Sequence, residues 1–205
     1  MLKIVLASQS PRRKKLLNQM GLIFEIIPSS IEEIITSDDP IEIVKDLSLK
    51  KAEDISRKME NTLVIGADTI VVKDGVILGK PLNQKDAISM LSELSGQQHS
   101  VFTGVSLVVN NEQKQIITSL SFYEETKVWF STLTQNEIKS YVASGSPMDK
   151  AGSYGIQDDW GSVFVERIEG DYYNVVGFPL NRFYRELKKI QPEILNSVVI
   201  PTLSI

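Results

Sequence analysis

Four cations in succession, Arg12-Arg13-Lys14-Lys15, follow Ser8-Gln9-Ser10-Pro11 close to the start of the chain. Ser10 as N-cap and Pro11 at the first helical position predict that these cations occupy the first turn of a helix. A helix N-terminus already carries about half a positive charge, so each cation there is disfavoured by roughly a few tenths of a kcal/mol. A phosphorylated ligand would reverse that sign, because the exposed N–H groups bind anions and arginine offers bidentate contacts to phosphate. The competing reading is a solvated basic surface with some side chains bent backward.

Lys51 and Asp68 are the other two residues out of place. With Val44 as origin and roughly 100° per residue, Ile55 falls near +20° and Lys51 near −20°, so this lysine sits at the centre of an apolar helical stripe. Either it snorkels past the core edge or it meets an inward-facing anion. Asp68 stands between Leu63-Val64-Ile65-Gly66-Ala67 and Thr69-Ile70-Val71-Val72, where a buried unpaired carboxylate would be costly. It forms either an Asx-type turn between two strands or a site beside a cation or metal, where it could accept a proton from water. Glu32 and Glu33, flanked by isoleucines, read as a solvated acidic loop or as one inward and one outward carboxylate. Lys80 before Pro81 and the run from Asp149 to Gln157 are ambiguous alone. His99 is the single histidine and is expected to be structural, leaving little from which to build a zinc cluster or a Ser-His-Asp triad.

The elements that must position these groups alternate between strand and helix. Leu2–Ala7 predicts a buried strand, the Ser10 start a helix, Leu22–Ile27 a second strand, and Ile41 to about Met59 a long amphipathic helix. Strands on both sides of Asp68 lead through the turn Lys73-Asp74-Gly75 into Val76–Leu78. A helix follows Asn83. Ser100–Val109 and Gln115–Phe130 predict antiparallel strands. Thr134 with Glu137 is a capping box opening another helix, which stops near Gly145. Ser162–Ile168 and Tyr172–Val176 read as a hairpin about Glu169-Gly170-Asp171, and Leu180 to Ile190 as a last helix. The expected class is a mixed α/β fold.

Composition narrows the classes of function. The 205 residues are 42% hydrophobic and 23% charged, without cysteine, which suits an ordinary globular domain and excludes disulfides, thiolate catalysis and Cys-ligated metal. A formal charge of −4 argues against a broad nucleic-acid surface. No apolar run is long enough to span a bilayer and the first residues lack a signal-peptide pattern, so the expectation is a cytoplasmic protein without membrane association.

The ordered set Ala7-Ser8-Gln9-Ser10-Pro11-Arg12-Arg13, Glu32-Glu33, Leu49-Lys50-Lys51-Ala52, Gly66-Ala67-Asp68-Thr69, Gly79-Lys80-Pro81, Asp149 to Gln157 and Asn174-Val175-Val176-Gly177 resembles the Maf-like nucleotide pyrophosphatases, in particular their dTTP/UTP pyrophosphatase branch. The resemblance spans residues 1–190 as one domain and leaves 191–205 as a tail of unassigned role. It implies a mixed twisted sheet with flanking helices, two lobes around a cleft, like the inosine triphosphate pyrophosphatases. It implies hydrolysis of dTTP or UTP to the monophosphate and pyrophosphate with a divalent cation, magnesium or manganese. Asp68 would be the proton acceptor; Ser8, Arg13, Lys51 and Lys80 would contact phosphates; Arg12, Thr69 and Gln157 would set specificity; Glu33 would join Asp68 at the metal. Glu32 stands where an aspartate is common in the family, which leaves open which glutamate faces the metal. The partners implied are the nucleotide and a second copy in a homodimer. The alternative is a nucleotide-responsive regulatory binder linked to cell septation.

Overall fold

The computed structural model describes residues 2–157, 160–196 and Val198. Its strands are β1 (Lys3–Leu6), β2 (Glu25–Ile26), β3 (Thr62–Lys73), β4 (Val76–Leu78), β5 (Gln98–Asn110), β6 (Ile116–Phe130) and β7 (Val165–Glu169). Its helices are α1 (Pro11–Gln19), α2 (Pro40–Ser56), α3 (Gln84–Leu94), α4 (Gln135–Ala143), α5 (Gly161–Phe164), α6 (Tyr172–Val176), α7 (Leu180–Ile190) and α8 (Pro192–Asn196). The sheet is mixed, in the order β2-β1-β3-β5-β6-β7 with β4 paired to β3. β1 is parallel to both β2 and β3, whereas β3–β4 and β6–β7 are antiparallel. This is the mixed α/β class expected. No helix among the described residues is long and apolar enough to cross a membrane.

The chain forms two compact units. The first comprises Met1–Asp68, Gly104–Tyr123 and Gly177–Ile205; the second comprises Thr69–Thr103 and Glu124–Val176. In the first, α2 covers the parallel strands, and Val5, Ala7, Ala52, Ile55, Val64 and Val108 form a buried apolar core. The seat is unusually close. A Cβ on Gly66 would lie 2.1 Å from the Ser48 carbonyl oxygen, and one on Gly104 would lie 2.1 Å from that of Val44. Val44, Ser48 and Ala52 recur every fourth residue, so successive turns of α2 rest on bare strand backbone. Asn110 closes the far end of the helix, its amide donating to the Ser56 and Met59 carbonyls while its oxygen accepts from Thr62 N–H and Oγ1.

In the second unit α3 packs on α4, whose capping box is formed as expected: Thr134 Oγ1 accepts from Glu137 N–H, and the Glu137 carboxylate accepts from Thr134 N–H at 2.7 Å. His99 is buried and structural, at 2.8 Å from the Tyr154 hydroxyl and edge-on to the Phe130 ring. Burial lowers its pKa to about 4, so it is neutral at physiological pH.

Three local expectations need correction. β3 runs unbroken through Asp68, with no Asx turn. The second strand shrinks to Glu25–Ile26, leaving Ile23 80% exposed. Tyr172–Val176 is a helix rather than the second arm of a hairpin. Short apolar runs carry too little periodicity to separate strand from helix, and here side-chain hydrogen bonds of Asn174 to neighbouring strands decide it.

Candidate active site

β3 alternates its side chains between the two faces of the sheet, so Val64, Gly66 and Asp68 share the face covered by α2. The apolar residue packs, the glycine admits the helix, and the carboxylate meets the lysine that stood in the apolar stripe. Lys51 Nζ lies 2.6 Å from Asp68 Oδ1 and 2.7 Å from Glu33 Oε1. The Lys51 and Asp68 side chains are 13% and 10% exposed, that of Glu33 56%. Burial raises the Asp68 pKa above the usual carboxylate range, against the opposing pull of Lys51 and Arg13, and nearby Glu33 adds to the rise.

Glu33 arrives on a loop that α2 itself anchors. One helical turn beyond Lys51, Asp54 Oδ2 accepts from Ser29 Oγ at 2.8 Å and from Ser30 N–H at 3.3 Å. Lys58 bonds to the same carboxylate and, with the serines, holds its pKa below the usual range. Glu32, next to Glu33, is exposed.

α1 begins as its sequence dictates, with Ser10 Oγ accepting from Arg13 N–H at 3.4 Å. Lys14 and Lys15 point to solvent, and Arg12 and Arg13 are half-buried. Arg13 turns back from the helix start to bind three chain segments. Its Nη1 donates to Ser8 Oγ at 3.1 Å and to the Ala67 carbonyl, next to Asp68, at 2.9 Å; its Nε donates to the Gly177 carbonyl at 3.0 Å. Burial lowers its pKa while the Asp68 charge supports it. Ser8, Arg13, Glu33, Lys51 and Asp68 are thus brought together in the first unit.

Thr69, Lys80 and Gln157 belong to the second unit. Thr69 Oγ1 is 2.9 Å from Thr103 Oγ1. Lys80 is exposed in the loop after β4, where the Gly79 carbonyl accepts from Gly152 N–H at 3.0 Å and ties that loop to the glycine-containing run ending at Gln157. Gly152, at φ 66, sits where a Cβ would meet the Val71 side chain at 2.9 Å. Gln157 is half-buried.

The family model described as Maf-like protein matches residues 3–190. The chain belongs to the Maf-like family. A relative from Bacillus cereus (strain AH820), named dTTP/UTP pyrophosphatase, is 48% identical over 198 residues, covering 96% of this chain and all of that protein. Another of the same name, from Carboxydothermus hydrogenoformans, is 48% identical over 188 residues, 92% of this chain and 98% of its own. A solved nucleoside-triphosphatase / dITP/XTP pyrophosphatase from Mycobacterium abscessus has a TM-score of 0.40 and 13% identity, over 64% of this Maf-like chain and 76% of its own.

Sequence reasoning missed the residues that hold the site in place. Ser48, Ser106 and Ser121 form a hydroxyl chain with steps of 2.8 Å that locks α2 to β5 and β6. Asp54, Thr103 and Asn174 fix the Glu33 loop and Thr69. Only Asn174 gave a signal, as part of Asn174-Val175-Val176-Gly177; the others are ordinary polar residues until tertiary contacts give them partners.

Proposed function

We propose that this Maf-like protein is a nucleoside triphosphate pyrophosphatase that cleaves dTTP and UTP between the α- and β-phosphorus, releasing the monophosphate and pyrophosphate. The observation that carries the reading is the buried ammonium of Lys51 held between Asp68 and Glu33, in a chain nearly half identical to relatives of that name. An acidic pair sharing one cation beside an arginine is built for a ligand with alternating charge: phosphate oxygens compete for the cation, and a divalent ion competes for the carboxylates.

Asp68 is the proton acceptor. Its raised pKa makes it a stronger base than an exposed carboxylate, and the Lys51 ammonium 2.6 Å away favours its ionised form. It takes a proton from a water that attacks the α-phosphorus; the bond from that phosphorus to the bridging oxygen breaks, and the electron pair leaves with pyrophosphate. Ser8, Arg13, Lys51 and Lys80 are assigned to the phosphates, where cations stabilise charge growing on the leaving group. Arg12, Thr69 and Gln157 are assigned to the base.

Glu33 and Asp68 are the residues that would hold a magnesium- or manganese-class ion. Their oxygens converge on one ammonium, so they are close enough to share one ion, and such ions take one or two carboxylates with phosphates and water filling the remaining positions. When bound, the ion would supply charge neutralisation and orientation of the phosphates.

The test is turnover. Purified protein given dTTP or UTP with magnesium should release pyrophosphate, and Asp68→Asn should keep nucleotide affinity while losing at least a hundredfold in rate, the usual range for a positioned base. Absence of turnover on every nucleoside triphosphate, or full activity in Asp68→Asn, would refute the assignment.

A further inference from the structure

β1 ends before β3 does, and a side chain takes over its pairing. The last residues in register are Leu6 and Ile65, after which the Ala7 N–H still donates to the Ile65 carbonyl at 2.8 Å. Carbonyls two residues apart leave a strand on the same side, so that of Ala67 faces the place where β1 would have continued. Ala67 has no exposed surface, and a buried main-chain carbonyl needs a donor. Arg13 supplies it through Nη1 at 2.9 Å, on the peptide that leads directly into Asp68. The same nitrogen donates to Ser8 Oγ, which also accepts from Ser10 N–H at 3.2 Å.

A guanidinium is a planar fork, so a further bond from Nε fixes how that plane is turned. The bond runs to the Gly177 carbonyl at 3.0 Å. Gly177 stands at φ 117, a conformation that residues with a side chain rarely adopt. The residues after it hold the acceptor still. Phe178 is fully buried against Phe183 of α7, with ring centroids 5.0 Å apart, and the Pro179 carbonyl accepts from Phe183 N–H at 2.9 Å.

Resting on the assignment of Asp68 as the base, we infer that Gly177 is a positioning residue for catalysis: its carbonyl sets the turn of the Arg13 fork, and Arg13, in place of a longer β1, holds the Ala67–Asp68 peptide. The last of the sequence motifs, ending at Gly177, thereby acquires a role 164 residues from the arginine it steers. A side chain at 177 would drive φ to negative values, redirect the carbonyl away from Nε and let the fork rotate. The aim of the Asp68 carboxylate would suffer first, while Ser8, Lys51 and Lys80 remain to bind phosphate, so the loss should fall on kcat more than on KM.

The experiment is a double-mutant cycle on UTP turnover with the parent, Gly177→Ala, Arg13→Lys and the two combined. Lysine keeps the charge but cannot reach three acceptors from one plane. Gly177→Ala should lower kcat by about tenfold or more with KM changed by less than about threefold, since a small misplacement of a reacting group costs up to roughly a hundredfold. In the Arg13→Lys background the same substitution should cost less than about twofold, because the fork that Gly177 steers is gone. A purely structural role for Gly177 would cost the same in both backgrounds. Should Gly177→Ala fail to fold, hydrogen exchange in the unaltered chain makes the test: the Arg13 Nε proton should exchange with water roughly tenfold more slowly, or slower still, than that of the exposed Arg185.

Equal costs in the two backgrounds, an unchanged kcat in folded Gly177→Ala, or equal exchange at Arg13 and Arg185 would each overturn the role of Gly177 and leave the pyrophosphatase reading standing wherever the parent turns UTP over. A parent that cleaves no nucleoside triphosphate, its Arg13 proton protected, would refute the pyrophosphatase reading and the catalytic role of Gly177 together.

Discussion

Replacing Lys51 by methionine keeps the length of the side chain and removes its charge, leaving Asp68 in an apolar setting with its nearest cation gone. The parent Asp68 already titrates above the usual range because burial outweighs its ion pairs, and the substitution removes the strongest opposing influence. The cost has a ceiling, since the carboxylate can always escape by taking a proton. At pH 7 that escape costs about 1.4 kcal/mol for each pH unit between the parent's folded pKa and 7, and because that pKa is already raised the ceiling lies below the roughly 4 kcal/mol counted from an ordinary carboxyl near 3.9. Losing one partner of a buried pair typically costs about 3–5 kcal/mol, so the penalty at pH 7 should approach that ceiling. Glu33 adds little, being more than half exposed. The sign follows from linkage: a carboxyl whose folded pKa is raised favours the folded state at low pH and loses that contribution as pH rises. Lys51→Met should therefore be less stable than the parent by less than about 4 kcal/mol at pH 7 and by a smaller amount, under about 1.5 kcal/mol, at pH 5, measured by urea unfolding. Adding Asp68→Asn should recover most of the loss at pH 7. A penalty that is flat with pH, or a double variant no more stable than Lys51→Met, would refute the buried ion pair.

The close seat of α2 predicts that Gly66→Ala lowers stability by about 1–3 kcal/mol or more, because the obstructing atoms are helix backbone; Gly79→Ala, with open space around its Cβ, is the control. Equal thermal midpoints for the two variants would contradict the packing of α2 on β3. His99 is kept neutral by burial, with a folded pKa of about 4 against 6.5, so the unfolded chain takes up its proton first on acidification. The parent should lose about 1.4 kcal/mol per pH unit between these values through this group. His99→Gln should lack that component of the acid slope, and an identical slope in both proteins would argue against a buried neutral imidazole.

Several features were legible because their causes are local. Ser10-Pro11 starts α1 and Thr134 with Glu137 caps α4, each through atoms only a few residues apart. The helical period of α2 was visible as well, and it made Lys51 conspicuous. Asp68 was conspicuous for a similar reason, a charge interrupting an apolar run. What failed were short segments whose state depends on a partner: β2, where two residues pair with β1, and Tyr172–Val176, where the bonds of Asn174 outweigh a strand-like composition.

The amino-acid order alone determined the α/β class, the helix starts and the misplaced charges, because propensity, capping and periodicity act over a few residues. Only the tertiary structure decided that Lys51 bridges Asp68 and Glu33, that glycines at 66 and 104 set the depth of the helix carrying that lysine, and that Arg13 folds back onto the Ala67 and Gly177 carbonyls. Those outcomes depend on which distant atoms meet. A buried ion pair or a guanidinium folded back on main-chain carbonyls takes its role from its partners, and the partners here lie 17, 54 and 164 residues along the chain.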